Sequence, residues 1–525
     1  MILSADMAMG IGGEAAMRGL YRIIFSRYAF CALVIIIELG ITAAVSIYAS
    51  NTFAPLYAVA MALEAVTVLA VINEDANPEY KIPWIVIVLA LPLFGFILYL
   101  AFHTRRMGRK EGRRMEESVR EIRRAASYEC KLGRLGEASI SAATKALAIL
   151  GDDPLAKVYA DTGCEYFGSG REMFFRMLAD LRSAREFIFL EYFIIEPGLM
   201  WNTVLDILRE RVKAGVEVRV MYDDIGCMSK LPPKYDELLM REGIRCYRFS
   251  RVTPHISNVH NNRDHRKIAV IDGDIGYTGG INIADEYIGE RARFGIWKDG
   301  GVRLAGSAVA GLCAIFLSGW EHASSHTGER LSYLRHRAIR EREGFFIPFA
   351  SGPKPIYKRP VGKRAFLNII NQSQTFIYIS TPYLIIDYEL TEALCTAAKR
   401  GVDVRIITPG IADKPLIKIM TKSSYPYLIE SGVRIFEYTP GFIHEKMLLS
   451  DGEYGVVGTI NFDYRSLVHH YENAVWIYGA PCLASMKEEY MKTLSLSREI
   501  GAREARLRPG EALFKNLVRI FAPLL

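Results

Sequence analysis

HRKIAVIDGDIGYTGGIN, from His265 to Asn282, and HEKMLLSDGEYGVVGTIN, from His444 to Asn461, decide how this chain is read. Both obey His-x-Lys-x4-Asp-x6-Gly-(Gly/Thr)-x-Asn, at a constant offset of 179 residues. One His-x-Lys-x4-Asp could arise by chance among ten histidines. Two copies with the same glycine and asparagine trailer leave little room for coincidence. On a strand, residues i and i+2 point to one face, so His265 projects with Lys267 and His444 with Lys446. Asp272-Gly273 and Asp451-Gly452 read as hairpin turns. Gly279-Gly280 and Gly458-Thr459 then fall on the returning strands, where a small residue lets a bulky ligand approach the backbone.

The duplication extends outward from the motifs. Upstream of the first lie EFIFLEYFIIE (186–196), an apolar-periodic stretch, VEVRVMYD (216–223) and DELLMREGIRCYRF. Upstream of the second lie TFIYISTPYLIID (375–387), LTEALCTAAKRG, VDVRIITPG (402–410) and YLIESGVRIFEY. Strands alternating with helices predict an α/β fold with a largely parallel sheet, present as two halves about a pseudo-two-fold axis. The expected divisions are an N-terminal segment 1–29, a transmembrane region 30–102, a basic linker 103–150, one half at 151–345 and a second, with a helical tail, at 346–525.

Half of the 525 residues are apolar and 23% are charged, which excludes a disordered chain. The mean hydropathy of +0.12 is high for that charge content. Its source is three apolar runs, Phe30–Ser50, Phe53–Ile72 and Pro83–Phe102, each near the ~20 residues that cross a bilayer as helix. Three such runs exclude a cleaved signal peptide. The first two carry central glutamates, Glu38 and Glu64, for which a mutual or protein partner within a hairpin is expected. Between Arg105 and Arg124, nine lysines and arginines face four glutamates, a balance of +5 in a total of +7. By the positive-inside rule this segment and all that follows lie on the cytoplasmic side, against anionic headgroups. Three spans would place the N-terminus outside despite Arg18, Arg22 and Arg27, whereas two spans or a re-entrant hairpin would not. The basic excess is thus a membrane signal, and nucleic acid is not expected as a partner. The eight cysteines show no Cys-x-x-Cys and no metal-ligand spacing, so no disulfide framework and no resident metal or cofactor is expected.

Two His, two Lys and two Asn (Asn282, Asn461) converging on one pocket suit a phosphodiester, with Gly279, Gly280, Gly458 and Thr459 in support. One imidazole can attack phosphorus while the other protonates the leaving alkoxide. These opposite protonation states require different surroundings, usually a carboxylate on the far ring nitrogen. Asp299, before the strand GGVRLAG, and Glu472, before NAVWIYG, occupy comparable places. Asp272 and Asp451 complete the candidate catalytic set, although Asp-Gly is a turn signal by itself. Lys267 and Lys446 are the hardest to explain without an anionic ligand, because a strand lysine buried alone is costly.

The paired motifs resemble the phospholipase D superfamily, and the surrounding chain, from about residue 55, is similar to the bacterial cardiolipin synthases. NNRDHRKIAVIDG (261–273), STPYLIID (380–387), GVRIFEYTPGFIHEKMLLSDG (432–452) and GTINFDYRS (458–466) carry the likeness. It implies ping-pong transfer: one histidine takes the phosphatidyl group of phosphatidylglycerol, the other serves leaving glycerol and incoming lipid. It places the nucleophile in the first half, at His265, and the acid/base at His444; the residues themselves leave that choice open. Acceptors other than phosphatidylglycerol (serine, ethanolamine, water) stay open, and a silent scaffold is the alternative of a different class. The chain departs from the likeness at His470-Tyr471-Glu472, where Asn-Phe-Glu is usual, at Trp297-Lys298-Asp299-Gly300-Gly301, and at Glu196-Pro197-Gly198.

Overall fold

The computed structural model describes residues 54–103 (without 75, 92 and 93), 109–126, 136–251, 262–324, 331–334 and 344–506, together with Gly40 and Gly510. The chain divides into a small N-terminal unit ending at Thr104 and a large unit beginning at Arg105.

In the small unit the second apolar run forms the helix Ala54–Asn73. Its side chains are described from Ala58 on, and Glu64 is half-buried midway. Val59, Met61, Val66, Leu69 and Ile72 are more than half exposed, an apolar surface unsuited to water. The third run corrects an expectation. Instead of one 20-residue span it forms two helices, Pro78–Ala90 and Gly95–Phe102. The break falls at Leu91, held at φ −131° and ψ 74°. Leu91 precedes Pro92, and a residue before proline is driven out of the helical region. The second helix folds back on the first, with Val71, Val88 and Tyr99 sharing a small core. A Cβ on Gly95 would stand 2.6 Å from Val88 Cα, so only glycine permits this approach. Among the described residues, no helix is long and apolar enough to cross a membrane. The first run, with Glu38, lies outside the described residues apart from Gly40.

The large unit is α/β with two mixed sheets. The first has seven strands, in the spatial order Thr162–Phe167, Gly301–Gly306, Ile275–Gly279, Lys267–Ile271, Phe187–Tyr192, Glu217–Asp223, Arg245–Phe249. The second has eight, in the order Ser497–Glu499, Arg434–Tyr438, Asp403–Pro409, Phe376–Ser380, Met447–Ser450, Tyr454–Gly458, Glu472–Tyr478, Phe345–Ser351. Only three strands of each sheet pair with a neighbour in parallel, those joined through helical crossovers. The largely parallel sheet expected from the alternation is therefore corrected to a mixed one. The cause is local: Asp272 and Asp451 take left-handed φ of 53° and 55° and turn each motif strand into an antiparallel hairpin. Each motif strand also runs antiparallel to the central strand beside it.

The segment 103–150, expected as a linker, holds two helices of the large unit, Arg109–Ala125 and Glu137–Leu150. Met115, Val119 and Ile122, spaced one helical face apart, are buried in the main core despite the charges around them. That core continues through the helix Val309–Ser324 and faces of both sheets.

Candidate active site

Each motif histidine is held by the other half. The His265 amide donates to the Tyr471 carbonyl at 2.9 Å, and the His444 amide to the Lys298 carbonyl at 2.7 Å. The next residue in each case is a carboxylate. Glu472 stands with Oε2 2.9 Å and Oε1 3.0 Å from His265 Nδ1, and Asp299 Oδ2 is 2.7 Å from His444 Nδ1. Both carboxylates are buried. With Nδ1 engaged, the Nε2 of each ring is the nitrogen left for chemistry. Two short crossings build this arrangement: Gly441–Ile443 pairs in parallel with Ile296–Lys298, and Asp264 bridges Tyr471.

The lysines are buried beside the histidines. Lys267 Nζ donates to the His265 carbonyl at 2.7 Å, and Lys446 Nζ to the His444 carbonyl. Burial lowers Lys267 to about 8 and Lys446 to about 7, against the pull of Asp299 and Glu472. Burial, then the two ammonium groups, holds both imidazoles well below their usual range. Burial also raises Asp299 to about 6, opposed by Lys446. Both rings are therefore neutral at rest at pH 7. An arriving phosphodiester would offset the lysine charges and so make protonation of one ring easier.

Asp272 and Asp451, named with the candidate catalytic set, are placed at the hairpin turns, as their Asp-Gly pairs signalled. Asp272 accepts the backbone N–H groups of Arg185, Glu186 and Phe187, each at 2.8 Å. Asp451 accepts those of Gln374, Thr375 and Phe376 at 2.8–2.9 Å, plus the Thr375 hydroxyl. Each fastens the hairpin turn to the start of the central strand, at the far end of the motif strand from the histidine. Asp272→Ala would strand three amides, at a cost of about 2–4 kcal/mol. The expected result is a lowered Tm in thermal unfolding with turnover per folded molecule within about three-fold of the parent.

The glycines also serve another purpose than ligand access. A Cβ on Gly279 would meet Gly300 O and Gly301 Cα at 2.5 Å, and one on Gly458 would meet Asn473 O at 2.3 Å. A Cβ on Gly280 would lie 2.1 Å from Asp299 Oδ1. They let the strands bearing the carboxylates close in. Asn282 is likewise a brace: its Oδ1 accepts from Ile194 N–H at 3.1 Å and its Nδ2 donates to the Tyr287 hydroxyl at 2.7 Å. Asn461 is buried beside the second motif, its Oδ1 without a hydrogen-bond partner among the described residues. Thr459 donates to Glu472 Oε2 and accepts from Asn473 N–H at 3.0 Å, so it orients the carboxylate.

Sequence reasoning missed several neighbours. Tyr287, Trp297 and Phe442 stand with ring centroids 5.5, 5.4 and 6.0 Å from His444. Around His265 stand Phe193, at 5.1 Å, and His470, at 5.7 Å. The departure at His470 was the available signal for that ring, but nothing in one sequence tells which rings face inward.

The family described as "Cardiolipin synthase, PLD-like domain" matches residues 177–292 and 366–494, and "Phospholipase_D-nuclease N-terminal" matches residues 63–102. A cardiolipin synthase of Alkalihalophilus pseudofirmus is 32% identical over 463 residues, 86% of this chain and 90% of that protein. The chain belongs to the cardiolipin synthase family. A cardiolipin synthase of Geobacillus kaustophilus is also 32% identical, over 90% of this chain and 94% of its own. An uncharacterized protein of Streptococcus mutans reaches 39% over 87% of this chain and 99% of its own. Among solved structures, a phosphatidylserine synthase of Haemophilus influenzae superposes with a TM-score of 0.55 over 73% of this chain and 98% of that one. At 16% identity it shows a shared fold. Cardiolipin synthase-like phosphatidyl transfer on a phospholipase D-type fold is therefore the activity class of this family member.

Proposed function

We propose that the chain transfers a phosphatidyl group from one phosphatidylglycerol to another, giving cardiolipin and glycerol at a membrane surface. The observation that carries this reading is the pair of cross-half dyads, His265–Glu472 and His444–Asp299, with two buried lysines bonded to the histidine carbonyls. His444 takes up a proton from solvent as the phosphodiester arrives between the lysines. His265 Nε2 then forms a bond to phosphorus as the P–O bond to glycerol breaks, and His444 gives the leaving alkoxide that proton. His444, now neutral, takes the proton of a second phosphatidylglycerol hydroxyl, whose oxygen attacks phosphorus and expels His265. The lysines hold the non-bridging oxygens throughout. The assignment of nucleophile to His265 follows the superfamily likeness. The exposed apolar helix Ala54–Asn73 and the basic segment from Arg105 support attachment to the cytoplasmic face of the cell membrane, with anionic lipid as partner.

Purified protein mixed with phosphatidylglycerol vesicles is expected to release cardiolipin and free glycerol in equal amounts. Phosphatidic acid as the sole lipid product would instead make it a hydrolase. The lysines give a pH dependence. An ordinary lysine keeps its charge to about 10.4, but Lys446 at about 7 and Lys267 at about 8 lose theirs far earlier. Loss of a proton removes a partner of the phosphate. kcat/KM in mixed micelles is therefore expected to fall between pH 7 and 9, by up to about ten-fold per pH unit for each lysine, mainly through KM. A flat profile to pH 9 would show that the ammonium charges are not what binds the phosphate.

A further inference from the structure

His470 has no part in the transfer chemistry, yet it is enclosed against the first dyad. Both of its ring nitrogens are buried without a hydrogen-bond partner among the described residues. Its Nδ1 lies 3.7 Å from Glu472 Oε1, too far for a hydrogen bond. Glu472 Oε2 already serves Thr459, so Oε1 is the oxygen that His265 and His470 share. One ligand atom from each of His265, His470 and Glu472 lies within 4.8 Å of the other two. Zinc at about 2.05 Å from its ligands spaces them about 3.3 Å apart in a tetrahedron. The separations at Glu472, 2.9–3.0 Å to His265 and 3.7 Å to His470, bracket that edge. Two imidazoles and one carboxylate are also the donor set that zinc takes with one position left open.

We propose that His265, His470 and Glu472 form a binding site for a divalent transition metal of the zinc class, and that occupancy shuts the site off. A metal there takes Glu472 from His265 or binds the His265 ring itself. In either case the nucleophile loses its lone pair or its orienting partner. The coordination involves no bond to substrate and no change of oxidation state. The inhibitory half rests on the function proposed above; the binding half does not.

The test uses the full-length protein in detergent micelles, stripped with a chelator that is then removed. Co2+ titration is expected to give one tetrahedral d–d absorption band per chain, abolished by one equivalent of Zn2+, while Mg2+ does nothing. Zn2+ is expected to inhibit phosphatidylglycerol turnover reversibly, with recovery on adding EDTA. His470→Asn, the residue usual at this place in similar proteins, is expected to lose the Co2+ band and to raise the half-inhibiting Zn2+ at least about ten-fold. His470→Gln repeats the test at another side-chain length. An identical Co2+ band and zinc dose in the parent and both variants would overturn the proposal, as would no cobalt binding by the parent. The band is read without substrate, so an absence of transferase activity leaves the binding result intact.

Discussion

His265→Ala is expected to abolish turnover of phosphatidylglycerol, by on the order of 10⁴–10⁶-fold in kcat, with no phosphatidyl-enzyme formed. The size follows from its double duty: without the ring nitrogen there is neither a bond to phosphorus nor a covalent intermediate to partition. His444→Ala is expected to fail as completely on phosphatidylglycerol, because glycerol leaves as an alkoxide that needs a proton. The two variants part on a substrate that does not need that proton. With a nitrophenyl phosphodiester of phosphatidic acid, His444→Ala should release nitrophenol in a stoichiometric burst, and His265→Ala should release none. The dyads are built alike, each ring braced by the opposite half. This pair of bursts is therefore what breaks their symmetry. A burst from His265→Ala alone would exchange the two roles.

The second large effect is expected at the carboxylates. Glu472→Gln and Asp299→Asn preserve volume but remove the charge that fixes the Nδ1–H tautomer and supports the imidazolium as it forms. A fall in kcat of about 10²–10⁴-fold is expected for each, with KM changed by less than about three-fold. Their effects should not multiply with that of alanine at the paired histidine, since a carboxylate with no ring to orient has nothing left to contribute. Glu472→Gln at parental kcat would reduce the His265–Glu472 contact to a structural one. Measured kcat and KM on phosphatidylglycerol micelles for the two singles and for His265→Ala/Glu472→Gln decide it.

The motif pairs were legible because their signal is local. A strand sets His and Lys on one face, and Asp-Gly turns a hairpin whatever the rest of the chain does. The family likeness rests on the same residues. Asp299 and Glu472 could be found as carboxylates before corresponding strands, but their exchange between halves could not. It depends on the crossings at 296–298 with 441–443 and at 264 with 471, which are contacts far apart in sequence. The purpose of the glycines was hidden for a similar reason: the atoms they make room for belong to other strands. Asp272 shows how a local turn signal reads through a motif. It belongs to a motif that carries chemistry, yet its Asp-Gly pair and its seven-residue distance along the chain from His265 already pointed to a turn, among backbone amides. In the N-terminal unit, hydropathy counted an unbroken run through Pro83–Phe102, but counting ignores that Pro92 excludes Leu91 from a helix. The stripe Met115, Val119, Ile122 escaped notice because arginines dominate its helix, though burial depends on one face only.

The central claim, one composite site acting through a covalent phosphohistidine, is tested most directly by locating the adduct. Protein turning over labelled phosphatidylglycerol would be quenched in alkaline detergent, which preserves a P–N bond, then digested and sequenced by mass spectrometry. One phosphatidyl group on His265, chased away by unlabelled phosphatidylglycerol at the rate of cardiolipin formation, is the expected result. No adduct on either histidine while cardiolipin accumulates would contradict it, whereas an adduct on His444 would keep the phosphohistidine and exchange the two roles.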